Sequence, residues 1–249
     1  MIPGKKIYFS SDYHLGVPNY TDSRIREDKV VAWLDEISKD AQEIYLLGDL
    51  FDFWFEYKHV VPKGHVRLLG KIAELTDSGI SVNVFVGNHD LWMRDYFPIE
   101  LGVNVFREAI ERDYNGKLFF IHHGDGKGPG DKGYKLMKKA FSNAFFQWAF
   151  KWIHPDFGIG LANYFSGRSS KKTRHKDAVF LGEEKEWLAQ YARRKLEHKP
   201  YDFFVFGHRH LPLEINISAT CKYVNLGDWI SHFTYAVFDG EELKLLKWT

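Results

Sequence analysis

Five apolar runs in this chain end alike, in small and metal-seeking residues. Ile7-Tyr8-Phe9 leads into Ser10-Ser11-Asp12-Tyr13-His14. The other four ends are Leu47-Gly48-Asp49, Gly87-Asn88-His89-Asp90, His122-His123-Gly124-Asp125 and Gly207-His208-Arg209-His210. An Asp and a His two apart in extended chain point the same way, so both can reach one ion. A single Asp-x-His arises by chance in many proteins. Five such ends, each at a predicted strand terminus and most beside glycine, constrain the fold far more tightly.

The runs alternate with helical spacing. Lys5–Ser11, Glu43–Leu47 and Ser81–Val86 read as buried strands. Between them, Ser23–Ser38 (Val30, Val31, Trp33, Leu34, Ile37 inward) and His65–Leu75 (Val66, Leu69, Ile72, Ala73) read as helices. This β-α-β-α-β order implies parallel strands joined by crossover helices. Ligands in such sheets bind beyond the carboxyl ends of the strands, where these ends fall. Asn104–Tyr114 and Lys117–Ile121 read as a strand pair turning at Asn115-Gly116. Asp131–Trp152 has helical spacing, with Leu136, Ala140, Ala144 and Trp148 in one row. A second helical piece follows Pro155, and Gly167–Lys176 is a basic, serine-rich loop. Glu183–Leu196 reads as a helix and Phe203–Phe206 as a buried strand. Leu213–Ser218, Lys222–Leu226, Phe233–Phe238 and Leu243–Leu246 alternate as strands. The pattern predicts an α/β fold of two packed mixed sheets flanked by helices. Residues 1–130 and 177–249 form the main domain, and 131–176 are inserted as a helical cap.

Seven residues carry the candidate chemistry: Asp12, His14, Asp49, Asn88, His123, His208 and His210. Carboxylate, carboxamide and imidazole without thiolate argue against structural zinc and for a catalytic site of manganese, iron, zinc or magnesium type. Seven ligands are too many for one ion in a half-open site. With one carboxylate shared they divide into two groups of four, which suits two ions about 3.5–4 Å apart clamping the oxygens of a phosphoryl displacement. His122 competes with His123; the residue directly before Gly124-Asp125 is the expected ligand. His59, His65 and His154 read as structural or solvent-exposed.

From Asp12 to His210 these blocks resemble those of the calcineurin-like metallophosphoesterases. The resemblance implies a four-layer α-β-β-α sandwich. It also implies two divalent metal ions, with manganese foremost. Asp12, His14, Asp49 and His210 would hold the first, and Asp49, Asn88, His123 and His208 the second, with Asp49 bridging. The implied nucleophile is a metal-bound hydroxide. His89 matches the position beside the substrate phosphate, where it can donate to a phosphoryl oxygen or protonate the leaving group. Asp90 would be its neighbour, with a capping role equally open.

Leu47-Gly48-Asp49-Leu50-Phe51-Asp52-Phe53-Trp54-Phe55 is similar to the second block of the UDP-2,3-diacylglucosamine diphosphatase branch. So is His123-Gly124-Asp125 followed by Asp131, Lys132 and Tyr134, and so is a basic, aromatic cap after it. The resemblance implies hydrolysis of a nucleotide-linked diacyl sugar to UMP and lipid X, at the cytoplasmic face of the membrane. Substrate contacts would fall on Asp131, Tyr134 and, by spacing, Ser169, Lys172 and Lys176. In much of that branch an Arg follows the Asn of the third block; here the residue is His89. A metallophosphoesterase acting on another phosphodiester or nucleotide therefore stays open.

Composition bears on the cap. Net charge is +1, yet residues 127–176 hold eleven Lys/Arg against two Asp/Glu and ten of the 42 aromatics. The rest of the chain is acidic. Phe141, Phe145, Phe146, Trp148, Phe150, Trp152, Phe157 and Phe165 could line an apolar slot for acyl chains, or form the core of a helical hairpin. Basic residues interleaved with such rings suit an anionic lipid surface, and no nucleic-acid partner is expected. One cysteine, Cys221, excludes an internal disulfide and fits a reducing compartment. With no signal peptide visible, a cytoplasmic protein, peripheral at the inner membrane, is expected. A non-catalytic scaffold would be expected to lose ligands, and none of the seven is missing.

Overall fold

The computed structural model describes residues 1–128, 141, 143–162 and 179–249. Two sheets carry the fold. The first comprises β1 (Lys6–Ser10), β2 (Ala41–Leu46), β3 (Ser81–Phe85), β4 (Asn104–Phe106), β10 (Thr234–Phe238) and β11 (Leu243–Lys247), in the order β11-β10-β1-β2-β3-β4. The second comprises β5 (Ile110–Tyr114), β6 (Lys117–His122), β7 (Phe203–Phe206), β8 (Pro212–Asn216) and β9 (Lys222–Leu226), in the order β5-β6-β7-β9-β8. Strands β1 to β4 run parallel, as do β6, β7 and β9. Helices α1 (Tyr20–Ile37) and α2 (Val66–Asp77) make the first two crossovers. A short α3 (Tyr96–Glu100) precedes β4, and α5 (Trp187–Leu196) precedes β7. Between β6 and β7, α4 spans Ala144–Lys151 and residues 155–162 are helical.

Alternation along the strands explains the layers. Ile7 and Phe9 face one way and Tyr8 the other, as the two-residue period requires. Ile7 and Phe9 join Tyr45, Phe119, Val205, Val224 and Phe238 in a core shared by the two sheets. Tyr8 joins Ile44 and Leu46 under Val30, Trp33 and Leu34 of α1 and Leu68 and Ile72 of α2. On the far side, Phe120, Phe204 and Phe206 pack under Leu188, Ala189 and Ala192 of α5. Each fully buried side chain of this size contributes about 1.5–3 kcal/mol. Helix α1 starts at Tyr20 because the Asn19 side chain accepts from the Asp22 amide, 2.9 Å, capping an orphan donor.

Four sequence expectations are corrected. The segment Asn104–Tyr114 is two strands in different sheets: β4 pairs parallel with β3, whereas β5 forms the hairpin with β6. Val66, expected on the inner face of α2, is exposed at its first turn. Glu183–Leu196 begins as a 3-10 turn at Glu183–Lys185 before α5. The helix expected over Asp131–Trp152 is interrupted at Asn143, which is extended (φ −74°, ψ 128°) and caps α4 through Phe145 N. The remainder of that span and the Gly167–Lys176 loop lie outside the described residues.

Candidate metal centre

The carboxyl ends of β1, β2, β3, β6 and β7 gather at one edge of both sheets, and backbone bonds lock their loops together. Asp12 N donates to Gly48 O (3.0 Å), His14 N to Asp49 O (2.9 Å) and Gly207 N to His123 O (2.8 Å). Asp12, His14, Asp49, His208 and His210 have φ of 58°, 44°, 52°, 69° and 51°. Non-glycine residues hold this left-handed backbone only where the surroundings over-determine it, and such residues cluster at functional sites.

Glycines allow the loops to meet. A Cβ on Gly87 would overlap the carboxylate and backbone N of Asp49, and one on Gly207 would stand 2.6 Å from Asp12 Oδ2. Gly87→Ala is expected to lose about 1–3 kcal/mol of stability through overpacking and to displace Asp49. Denaturant unfolding with a parallel activity assay checks this; wild-type values for both would mean the loop has slack.

The side chains form two groups that share Asp49. Asp12, His14, Asp49 and His210 place one donor atom each within 4.8 Å of the others, as do Asp49, His123 and His208. In the first group, His14 Nε2 lies 3.2 Å from His210 Nε2, 3.8 Å from Asp12 Oδ1 and 3.7 Å from Asp49 Oδ2. His210 Nε2 lies 3.4 Å from Asp12 Oδ1. In the second, the same Asp49 Oδ2 is 3.4 Å from His123 Nε2, which is 3.3 Å from Asn88 Oδ1. The His208 ring stands edge-on to that of His123, centroids 5.1 Å apart.

Three of the imidazoles are oriented from behind. His123 donates its Nδ1–H to Leu47 O at 2.5 Å, which turns Nε2 toward Asp49. His14 Nδ1 faces Asp52 Oδ1 at 3.5 Å, and His210 Nδ1 faces Asp228 Oδ2 at 3.4 Å. Asp228 is itself pinned, its Oδ1 accepting from the amides of Ile230, Ser231 and His232. An outer acceptor on one ring nitrogen with the inner nitrogen aimed at a carboxylate is the arrangement of metal-ligating histidines.

These residues fit a divalent cation. Donor separations of 3.2–3.8 Å are those of neighbours around an ion with bonds near 2.1 Å. Asp12 Oδ1 is buried and makes no hydrogen bond. Burial works against charge on His14, yet the carboxylates of Asp12, Asp52 and Asp49 lift its pKa to about 10. His123, equally buried, rises to about 10 beside Asp49. Burial alone would raise Asp49, but His123, His89 and His14 hold it well below the carboxylate range. Burial and then the His123 charge push His208 down to about 4. The pocket thus draws in positive charge and supplies neutral nitrogen beside it.

His89 lies next to the first group, its ring edge-on to His14 with centroids 4.7 Å apart. Its Nδ1–H is donated to Asp52 O (3.0 Å), and Asp52 Oδ1 is 3.7 Å from the same nitrogen. Asp90 faces elsewhere: it accepts from Gly87 N (2.6 Å) and Leu50 N (2.9 Å), tying the third loop to the second. The neighbour of His89 is therefore Asp52, and Asp90 has the capping role. Sequence reasoning missed both Asp52 and Asp228. The second had a signal, because Leu226-Gly227-Asp228 repeats Leu47-Gly48-Asp49 at another strand end. Asp131, Tyr134, Ser169, Lys172 and Lys176 lie outside the described residues.

From α4, Phe150 packs on Phe55, Trp92 and Phe53, with ring centroids 4.7, 4.9 and 6.3 Å away. Trp92 Nε1 donates to Phe141 O at 2.6 Å. The other rings turn outward: Phe145, Trp148 and Trp152 are 64%, 55% and 76% exposed. Among the described residues these side chains are not the core of a hairpin. No described helix is long and apolar enough to cross a membrane.

No family model matches the chain. A UDP-2,3-diacylglucosamine hydrolase from Porphyromonas gingivalis is 38% identical over 252 aligned positions, covering 96% of each chain. Another of that name from Photobacterium profundum is 27% identical, covering 95% of this chain and 94% of its own. Among solved structures, Yfce, a phosphoesterase from E. coli, is similar at 15% identity with a TM-score of 0.49, covering 97% of this chain and 92% of its own.

Proposed function

We propose, from the premise that the chain belongs to the UDP-2,3-diacylglucosamine hydrolase family, that it hydrolyses the diphosphate of UDP-2,3-diacylglucosamine. Water adds to one phosphorus, the P–O–P bridge breaks, and UMP and the diacyl sugar 1-phosphate (lipid X) leave. Asp12, His14, Asp49 and His210 would hold one divalent cation, and Asp49, Asn88, His123 and His208 a second. Such ions, manganese by preference, polarise phosphoryl oxygens and lower the pKa of water. The observation that carries the reading is the inward aim of the His14, His123 and His210 Nε2 atoms, each ring backed at Nδ1.

The chain's own groups do the rest. Asp49 presents one oxygen to both groups while its Oδ1 accepts from His89 N at 2.9 Å, which fixes the carboxylate's rotation. His89 keeps Nδ1–H on the Asp52 carbonyl, so Nε2 is the atom that exchanges a proton. Burial lowers its pKa, which favours the neutral ring with Nε2 as its basic nitrogen. The departing phosphate has its second pKa near 6 and needs no proton to leave.

The outward rings of α4 support a second part of the reading. Phe145 lies 5.9 Å from Trp148, and Trp148 6.0 Å from Trp152, between ring centroids. Rings of this kind suit the boundary between water and lipid. With the basic charge of residues 127–176 they favour peripheral attachment at the cytoplasmic face of the inner membrane, where the acylated substrate resides. Residues 131–176 would then be a cap that takes the acyl chains.

Incubation with UDP-2,3-diacylglucosamine and manganese should yield UMP, and faster than with the deacylated substrate. No UMP above an Asp49→Ala control would end this reading. Equal rates on both substrates would remove the acyl-binding part. His89, where much of the branch has Arg, favours testing other phosphodiesters alongside.

A further inference from the structure

We propose that Glu186 and Arg209 are a positioning pair that sets the His208–His210 turn, and with it the site's metal affinity, from the start of α5. The inference rests on the metal-holding reading of those two histidines. Arg209 lies between them, and both flanking residues sit in left-handed backbone, φ 69° and 51°. Something must hold that turn. The backbone supplies part: His208 N donates to Asp12 Oδ2 (2.9 Å) and Arg209 N to Gly207 O (2.8 Å). The side chain supplies the remainder. Arg209 is buried, and its Nε–H is shared between both carboxylate oxygens of buried Glu186, each 3.1 Å away.

A buried ion pair adds little net stability over an apolar pair of the same volume, so its best-attested use is to fix an arrangement. Its place in the chain gives that arrangement a meaning. Glu186 immediately precedes α5. The next residue, Trp187, sets its ring edge-on to the His208 imidazole, centroids 5.9 Å apart. A methyl on Gly128 would stand 3.4 Å from the Trp187 ring. Gly128 and Trp187 therefore stand together beside His208, and the pair next to them grips the turn. Glu186→Gln would remove a carboxylate from beside the buried guanidinium and loosen its hold on the turn.

Calorimetric titration of chelator-treated full-length protein with manganese, well below the melting temperature, tests this. Glu186→Gln is expected to bind manganese about 10-fold more weakly, the low end of the cost of losing a direct outer partner of a ligand, because Glu186 acts through Arg209. Glu186→Asp should recover most of the affinity. The charge-free double variant E186L/R209M takes both buried charges away together, so a folding defect from a half-removed pair is avoided, and it should bind as weakly as Glu186→Gln. Leu243→Ala, a core truncation in the first sheet, should lower the melting temperature and leave manganese affinity unchanged. Wild-type affinity in both Glu186→Gln and E186L/R209M would overturn the proposal. So would equal weakening in Leu243→Ala. Wild-type protein that takes up no manganese would overturn the metal reading itself, and this inference with it.

Discussion

Asp49→Asn is expected to lower kcat/KM for the diphosphate substrate by about 1,000-fold or more. The substitution keeps shape and can still accept from His89 N, so the loop has no steric reason to move. It removes the one charge that both ligand groups share, since a single oxygen faces His14 at 3.7 Å and His123 at 3.4 Å. Cation-based stabilisation of developing phosphoryl charge supplies several kcal/mol. At 1.36 kcal/mol per tenfold, a loss of about 4 kcal/mol is about 1,000-fold. Steady-state kinetics across a manganese series measures it. A loss under tenfold at saturating metal would show that Asp49 is not shared in the reaction.

Asp52→Asn is expected to cost about 10- to 100-fold in metal affinity, toward the upper end, with a parallel fall in kcat/KM. The reason is that one oxygen, Oδ1, stands behind two imidazoles: 3.5 Å from His14 Nδ1 and 3.7 Å from His89 Nδ1. The amide removes the charge that helps raise His14 and can turn a donor toward a ring nitrogen that also donates. His89→Ala separates the two effects, because it should reduce kcat with manganese affinity nearly unchanged. If Asp52→Asn binds manganese as wild type does, Asp52 acts on His89 alone.

The strand-end blocks were legible because two local rules coincide. Buried parallel strands show as short apolar runs, and the residues after them must turn and reach outward, which selects glycine with Asp, Asn or His. What was not legible depends on side-chain direction in irregular backbone. Adjacency suggested Asp90 for His89, but Asp90 turns back onto the amides of Gly87 and Leu50. Asp52, 37 residues away in sequence, fills the place. Asn104–Tyr114 read as one strand because the step from one sheet to the other occurs over three residues, Arg107-Glu108-Ala109, with no glycine or proline to mark a turn. The helix over Asp131–Trp152 shows the converse. Its spacing is helical throughout, yet Asn143 is extended and its side chain takes the Phe145 amide, so a helix begins at Ala144.

The outward rings of α4 were ambiguous for a different reason. A helical aromatic stripe has the same period whether it is buried in a core or faces outward. Only the exposure of Phe145, Trp148 and Trp152, against the packed Phe150, separates the two.

The most direct test is the number of divalent ions bound per chain, by elemental analysis of full-length protein loaded with manganese and then freed of excess. Convergence of the five loops on two cation sites predicts a value near two, falling clearly in Asp49→Asn. A value near zero in wild type, or one unchanged by that substitution, would contradict it.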